Sequence, residues 1–217
     1  MMARLTRKDM QQQTRQRLLA AAEREIIQHG IQSASIRNIS ESAGYSLGAF
    51  YSNFVSKEAM LQELMELRIR EEIQAFRQIV TEARENDTIE MLALISAWLK
   101  TMLENISPTL GLEFQIYANR NPPFKQKFDK VKTKRQLELA EVLKTLFSRK
   151  GLLPTMDPLQ MATGFAALWS GLAVQGDVPW AKPFEQVFLT FLGALLDNAT
   201  PVEEVGEALE NSDMKSQ

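Results

Sequence analysis

The stretch AGYSLGAFYSNF, residues 43–54, holds no charged side chain, two glycines and four aromatics, in a chain where 24% of residues are charged. Gly48 falls where the flanking pattern asks for a helix, and glycine inside a helix costs about 1 kcal/mol relative to alanine. A segment that accepts this cost and shows aromatic rings in a polar neighbourhood needs a reason, and its neighbours supply one.

Upstream, the pattern predicts a helix from about Gln11 to His29, with Leu18, Ala22 and Ile26 at four-residue spacing, Leu19 and Ala21 beside them, and Gly30 at the C′ position. Ser35 can cap a short helix from Ile36 to about Ser42, with Ile36, Ile39 and Ala43 facing inward; Gly44 ends it in the left-handed region. Ser46 can cap a third helix, Leu47–Asn53, and Ser56 a fourth, which runs from Lys57 through Leu61, Leu64, Met65, Ile69 and Ile73 towards Arg84. Two short helices joined by a glycine turn make a helix-turn-helix, whose second helix enters the DNA major groove. Leu47–Asn53 would span about 10 Å, and the groove is about 12 Å wide.

This reading accounts for the composition. Gly48 removes bulk where a helix must approach a DNA backbone. Ser46 leaves helix N-terminal amides facing outward, and Tyr51 can reach a phosphate with its hydroxyl. Phe50 and Phe54, four residues apart, turn inward. Arg37 and Lys57 bring positive charge from the flanking helices.

Charge points the same way. Residues 1–57 carry eight Lys and Arg against four Asp and Glu, a net +4, while the remainder carries 17 against 23, a net −6. A basic head on an acidic body suggests a polyanionic partner for the head. The chain has 217 residues, 45% hydrophobic, enough for a sizeable core, and no cysteine, which excludes disulfides and thiolate metal sites. Met1–Gln13 does not read as a signal peptide and no run reaches 18 apolar residues, so a cytoplasmic protein with no membrane partner is expected.

The body continues as helices: Thr88–Asn105 behind an Asp87/Glu90 capping box, Pro108 to about Asn119, a break at residues 121–124, Phe124 to Lys150 before Gly151, Pro158 to about Gln175, and Pro183 to about Asn198. The expected fold is all-α with about nine helices: a helix-turn-helix domain at 1–56, a larger effector-binding and dimerisation domain at 57–200, and a flexible acidic tail at 201–217. Catalysis is not expected. His29 is the only histidine, and it sits beside Gly30 as a helix-end residue; no G-x-S-x-G or P-loop sequence occurs. No cofactor or metal is implied. The rival reading is a helical small-molecule carrier or adaptor without DNA binding, which would ignore duplex DNA.

Residues 15–61, RQRLLAAAEREIIQHGIQSASIRNISESAGYSLGAFYSNFVSKEAML, resemble the DNA-binding domain of the TetR family of transcriptional regulators. The resemblance rests on Ala20-Ala21-Ala22, Gly30, Ser35, Ile39, Ala43-Gly44, Gly48, Tyr51, Phe54, Lys57 and Leu61. It implies that Ser35, Arg37, Tyr51 and Lys57 contact phosphates and that Tyr45, Ser46, Leu47, Gly48, Ala49 and Asn53 face the groove. Ser40 stands where alanine is usual, Tyr45 where a smaller residue is common, and Ala49 lacks a frequent hydroxyl. The third helix carries no Arg, Lys or Gln, which leaves Tyr45, Leu47 and Ala49 for thymine methyls and Asn53 as the one amide able to read a base edge.

The resemblance also implies a homodimer, a small-molecule effector and usually repression at an inverted-repeat operator. Gly164, Ala167, Gly171 and Val174, with Phe184, Phe188, Phe191 and Leu195, are the expected dimer interface on the last two helices. Trp98, Met102, Glu113, Phe114, Tyr117, Phe128, Met161, Phe165 and Trp169 are the expected effector-site residues, suited to a hydrophobic small molecule. The helix that begins at Lys57 is the expected lever between effector and DNA.

Overall fold

A computed structural model describes residues 6–84, 87–105, 109–175 and 184–204; the side chains of 103–105, 172–175 and 184 lie outside this description. The fold is all-α. The elements are α1 (Arg7–Ser33), α2 (Ile36–Ser42), α3 (Leu47–Tyr51), α4 (Lys57–Glu82), α5 (Thr88–Asn105), α6 (Thr109–Arg120), α7 (Pro122–Arg149), α8 (Pro158–Gln175) and α9 (Phe184–Asp197).

Local chemistry sets most of these boundaries. Thr6 and Asp9 form a capping box at the head of α1, and Gly30, at φ 77° and ψ 159°, breaks the same helix one turn before Ser33. The hydroxyls of Ser35, Ser46 and Ser56 accept from the amides of Asn38, Ala49 and Ala59, so each short helix starts on its serine. Gly44, at φ 76°, makes the turn between α2 and α3. The third helix is shorter than expected. It ends at Tyr51, because the chain tightens there and the Asn53 and Phe54 amides both bond the Phe50 carbonyl at 2.8 Å. Residues 121–124 interrupt the chain only briefly. Asn121 accepts from the Phe124 amide, and Pro122 and Pro123 occupy the first helical positions of α7, where no amide is required.

Two segments depart from the helical pattern. Leu152–Leu153 (β1) and Thr200–Pro201 (β2) pair antiparallel, in register Leu152 with Pro201, and the Val202 amide bonds the Gly151 carbonyl at 2.9 Å. Pro201, expected to begin a flexible tail, therefore lies in a strand; residues 205–217 of that tail lie outside the described residues.

The chain divides into two compact units, Met1–Ile69 with Ser107–Val131, and Arg70–Ile106 with Lys132–Gln217. In the first, Leu18, Ala22 and Ile26 of α1, Ile39 of α2, Phe50 of α3, Leu61 and Leu64 of α4, Phe114 and Ala118 of α6, and Phe124 and Phe128 of α7 form one buried cluster. The hydroxyl of Ser40, buried in place of the expected alanine, donates to the Ile36 carbonyl at 2.7 Å and so is satisfied within its own helix. In the second unit, Phe76, Ile95, Leu99, Leu143, Phe147, Met161, Phe165 and Leu192 are buried among helices α4, α5 and α7–α9. Among the described residues no helix is long and apolar enough to cross a membrane.

Candidate nucleic-acid interface

The opening stretch folds as two faces of one short helix. Phe50 and Phe54 are buried, their rings 5.5 Å apart, and fix α3 to the cluster beneath. Opposite them, Ser46, Leu47, Gly48, Tyr51 and Ser52 are exposed, Tyr51 by 59%. Tyr45 and Ala49 are half-buried at the edge of this face. Ser35 and Arg37 at the start of α2 are exposed as well.

Gly48 meets no obligation inside the molecule. Its φ is not positive, and a Cβ placed there would touch only Ser46 Oγ, at an ordinary 3.6 Å. Alanine would fit and would favour the helix by about 1 kcal/mol. The space beside Gly48 is therefore not claimed by the protein's own packing.

Two expected contact residues are differently employed. Asn53 does not present its amide outward: Nδ2 donates to the Ala49 carbonyl at 2.8 Å, and Oδ1 is buried without a hydrogen-bond partner among the described residues. It closes the end of α3, because the tightened turn folds its side chain back over the helix. Lys57 is half-buried, and its ammonium donates to the Ile31 carbonyl. Burial pushes its pKa below the usual lysine range, partly opposed by the charge of Glu58.

Charged side chains that the sequence reading passed over hold this unit together. The Arg15 guanidinium pairs with both oxygens of Glu63 on α4, donates to the Asn53 carbonyl and lies 4.3 Å from the Phe54 ring centroid. Glu63 raises its pKa further. The guanidinium of Arg68 on α4 pairs with Glu23 of α1, a residue only 8% exposed. A signal existed for this second pair, since Glu23 interrupts the apolar face of α1 at a position that packing buries.

The expected effector residues separate. Trp98, Phe165 and Trp169 line one cavity of about 30 Å³ together with Phe76, Leu99, Leu139, Phe188 and the ion pair Glu72–Arg135. Phe76 and Trp98 stack at 5.5 Å. Met102 and Met161 are buried in the same unit but do not line it. Glu113, Phe114, Tyr117 and Phe128 do not belong to the cavity either. Phe114, on α6 where that helix packs on α1, and Phe128 of α7 are core of the first unit, with Tyr117 packed against it. Glu113 Oε2 accepts from the Ile31 amide at 3.0 Å. Tyr117 donates to Glu58 Oε1 on α4 at 3.1 Å.

The expected dimer residues separate too. Gly164, Ala167 and Gly171 lie along an exposed strip of α8, and Phe191 of α9 is 56% exposed, with Leu195 half-buried beside it. Phe188 is instead intrachain core: its ring lies 4.6 Å from that of Phe165, since α9 packs on α8 within the chain. The side chains of Val174 and Phe184 lie outside the described residues.

Two short helices joined by a glycine turn, the second with an exposed face, in an all-helical chain, define a helix-turn-helix unit. The family model described as "Bacterial regulatory proteins, tetR family" matches residues 18–64. Over these residues the chain carries the DNA-binding domain typical of the TetR family of transcriptional regulators. It is 27% identical over 108 residues to the HTH-type nicotine-responsive transcriptional repressor HdnoR of Paenarthrobacter nicotinovorans; the match spans 50% of this chain and 56% of that one. Its fold is similar to that of reduced E. coli NemR, with TM-score 0.67 and 21% identity over 87% of this chain and 98% of that one. It is also similar to the transcriptional regulator FadR of Bacillus subtilis in complex with stearoyl-CoA, with TM-score 0.63 and 19% identity over 83% and 97%.

Proposed function

We propose that the chain is a ligand-responsive repressor that binds an inverted-repeat operator as a homodimer and is released by a small hydrophobic effector. Residues 1–56 form its DNA-binding head, and residues 57–200 its effector-binding and dimerisation body. The observation that carries this reading is Gly48, a helical glycine on an exposed face that the fold itself does not require. Close approach of a DNA backbone accounts for it. Phosphate contacts fall to Ser35, Arg37, Ser46 and Tyr51 in this reading, which their exposure supports, and Lys57 has two N–H donors beyond the one given to Ile31. Tyr45, Leu47 and Ala49 offer apolar contact to thymine methyls. Asn53 is a terminator of α3 rather than a reader.

One short helix reads too few base pairs for useful specificity, so two heads about one DNA turn apart or more are needed. The open strip Gly164, Ala167 and Gly171 with Phe191 and Leu195 supports helix-to-helix pairing with a second copy. The aromatic cavity around Trp98, Phe165 and Trp169 is the effector site. At about 30 Å³ it has room for little more than water. A drug-sized ligand must part its side chains, since such sites run to about 300 Å³ or more. The relative named nicotine-responsive and the neighbour solved with stearoyl-CoA both concern organic ligands with large apolar parts, in keeping with these walls. Helix α4 contributes Glu63 and Arg68 to ion pairs of the first unit and Glu72 and Phe76 to the cavity of the second, which suits it to act as the lever. By linkage, an effector that weakens DNA binding must bind the DNA-bound dimer less tightly by the same factor.

The test is selection of genomic fragments by the purified protein, followed by binding to the recovered duplex across a range of salt. A repressor of this kind retains fragments sharing an inverted repeat, with affinity falling steeply as salt rises. A carrier retains none.

A further inference from the structure

Ile31 is the first residue after the break in α1, and the chain passes from it through Ser35 into the helix-turn-helix. It is fully buried, so both its backbone polar groups need partners within the protein. Each partner is a charged side chain from a different element. The Ile31 amide donates to Glu113 Oε2 of α6 at 3.0 Å, and the Ile31 carbonyl accepts from the Lys57 ammonium of α4. Gly30 makes the arrangement possible twice over. Its φ of 77° turns the Ile31 amide out of the helical ladder, and a Cβ at this position would stand 3.1 Å from the same Glu113 oxygen. Charge-assisted bonds of this kind are shorter and about twice as strong as neutral ones.

We infer that Glu113 is a positioning residue for DNA binding: by holding the Ile31 amide it sets the angle at which α2 and α3 leave α1. The carboxylate itself repels phosphate and makes no contact with DNA, so its contribution is entirely through Ile31. The inference rests on the DNA-binding reading above, and the two fail separately. If the wild-type protein binds no duplex, that reading falls. If it does, the variants below decide on Glu113.

The experiment measures affinity for a duplex recovered by selection with the wild-type protein, as a function of salt, together with exchange of the Ile31 amide proton. Glu113→Ala is expected to lose about tenfold in affinity, to expose the Ile31 amide to exchange, and to leave the slope of log affinity against log salt unchanged, because no phosphate contact is removed. Glu113→Gln keeps a carbonyl oxygen at the same reach and is expected to stay within about threefold of wild type. Glu113→Asp keeps the charge but draws it back by one methylene, and serves where the alanine variant does not fold; it too loses affinity and frees the Ile31 amide. Wild-type affinity in folded Glu113→Ala or Glu113→Asp would overturn the assignment, as would a gain in affinity from removing a negative charge near DNA. Loss in Glu113→Gln equal to that in Glu113→Ala would overturn it as well.

Discussion

The Arg15 guanidinium lies 4.3 Å from the centre of the Phe54 ring while it donates to the carbonyl of Asn53, two residues past the end of α3. One side chain of α1 thereby holds the exit of α3, and its pairing with Glu63 holds it to α4. Replacing Arg15 with methionine keeps the apolar stem but removes the cation. The expected result is a loss of about 1–2 kcal/mol in unfolding free energy and weaker duplex binding. Urea denaturation of Arg15→Met, Glu63→Gln and the double variant checks this. The two changes should be markedly non-additive, as expected for partners in one network.

Asn53→Ala separates a terminator from a reader. The side chain donates to the Ala49 carbonyl, and its Oδ1 is buried. The variant should lose stability and general affinity while its ranking of duplex sequences stays that of wild type. Competition binding against single-base variants of a selected duplex measures the ranking, and a change confined to one base position would show that Asn53 reads that base.

The bond from Tyr117 to Glu58 gives a pH signature. Burial alone would raise the Glu58 pKa, but its own backbone amide, the hydroxyls of Tyr117 and Ser56, and the charge of Lys57 together bring it below the usual carboxylate range. Tyr117 is pushed above the usual tyrosine range, by burial first and then by the bond to Glu58. A lowered carboxylate contributes stability above its unfolded pKa and loses it as pH falls through the folded one. A raised tyrosine contributes below its unfolded pKa and loses it as pH rises through the folded one. Tyr117→Phe should therefore be less stable than wild type at neutral pH, with the two curves converging at both acid and alkaline ends. Denaturation midpoints across pH check this.

Phe114 and Trp169 should answer differently to truncation. Phe114 is buried in the cluster of the first unit, so Phe114→Ala is expected to destabilise by about 3–5 kcal/mol and to impair DNA binding through unfolding. Trp169 lines the cavity, so Trp169→Ala should leave duplex binding near wild type and weaken release by an effector found through the operator's neighbouring genes. Calorimetry and duplex release in each variant separate the two roles.

What the sequence made legible follows from how local each signal is. Ser35, Ser46, Gly30 and Gly44 act on their immediate neighbours, and they cap or turn the chain where the pattern placed them. Phe114 and Tyr117 are apolar residues of a helix, but a helix does not name what its apolar face packs against. Residues 110–128 join residues 18–65 across a long loop of chain, and so Phe114, Tyr117 and Phe128 were expected beside an effector. Glu113 was read as a ligand group for the same reason, whereas its partner is a backbone amide 82 residues away. The pairing of Leu152–Leu153 with Thr200–Pro201 is two residues long, too short for alternation to announce it. Phe188 and Phe191 lie one turn apart on α9, and only packing decides that the first faces α8 and the second faces out.

Gly48→Ala, measured at once for unfolding free energy and for affinity to a selected duplex, tests the central claim most directly. The fold has room for the methyl group. The account predicts a protein more stable by about 0.5–1 kcal/mol that binds DNA at least about tenfold more weakly, a loss of about 1.4 kcal/mol. A variant that gains stability and keeps wild-type affinity would contradict the claim that a DNA backbone occupies the space beside Gly48.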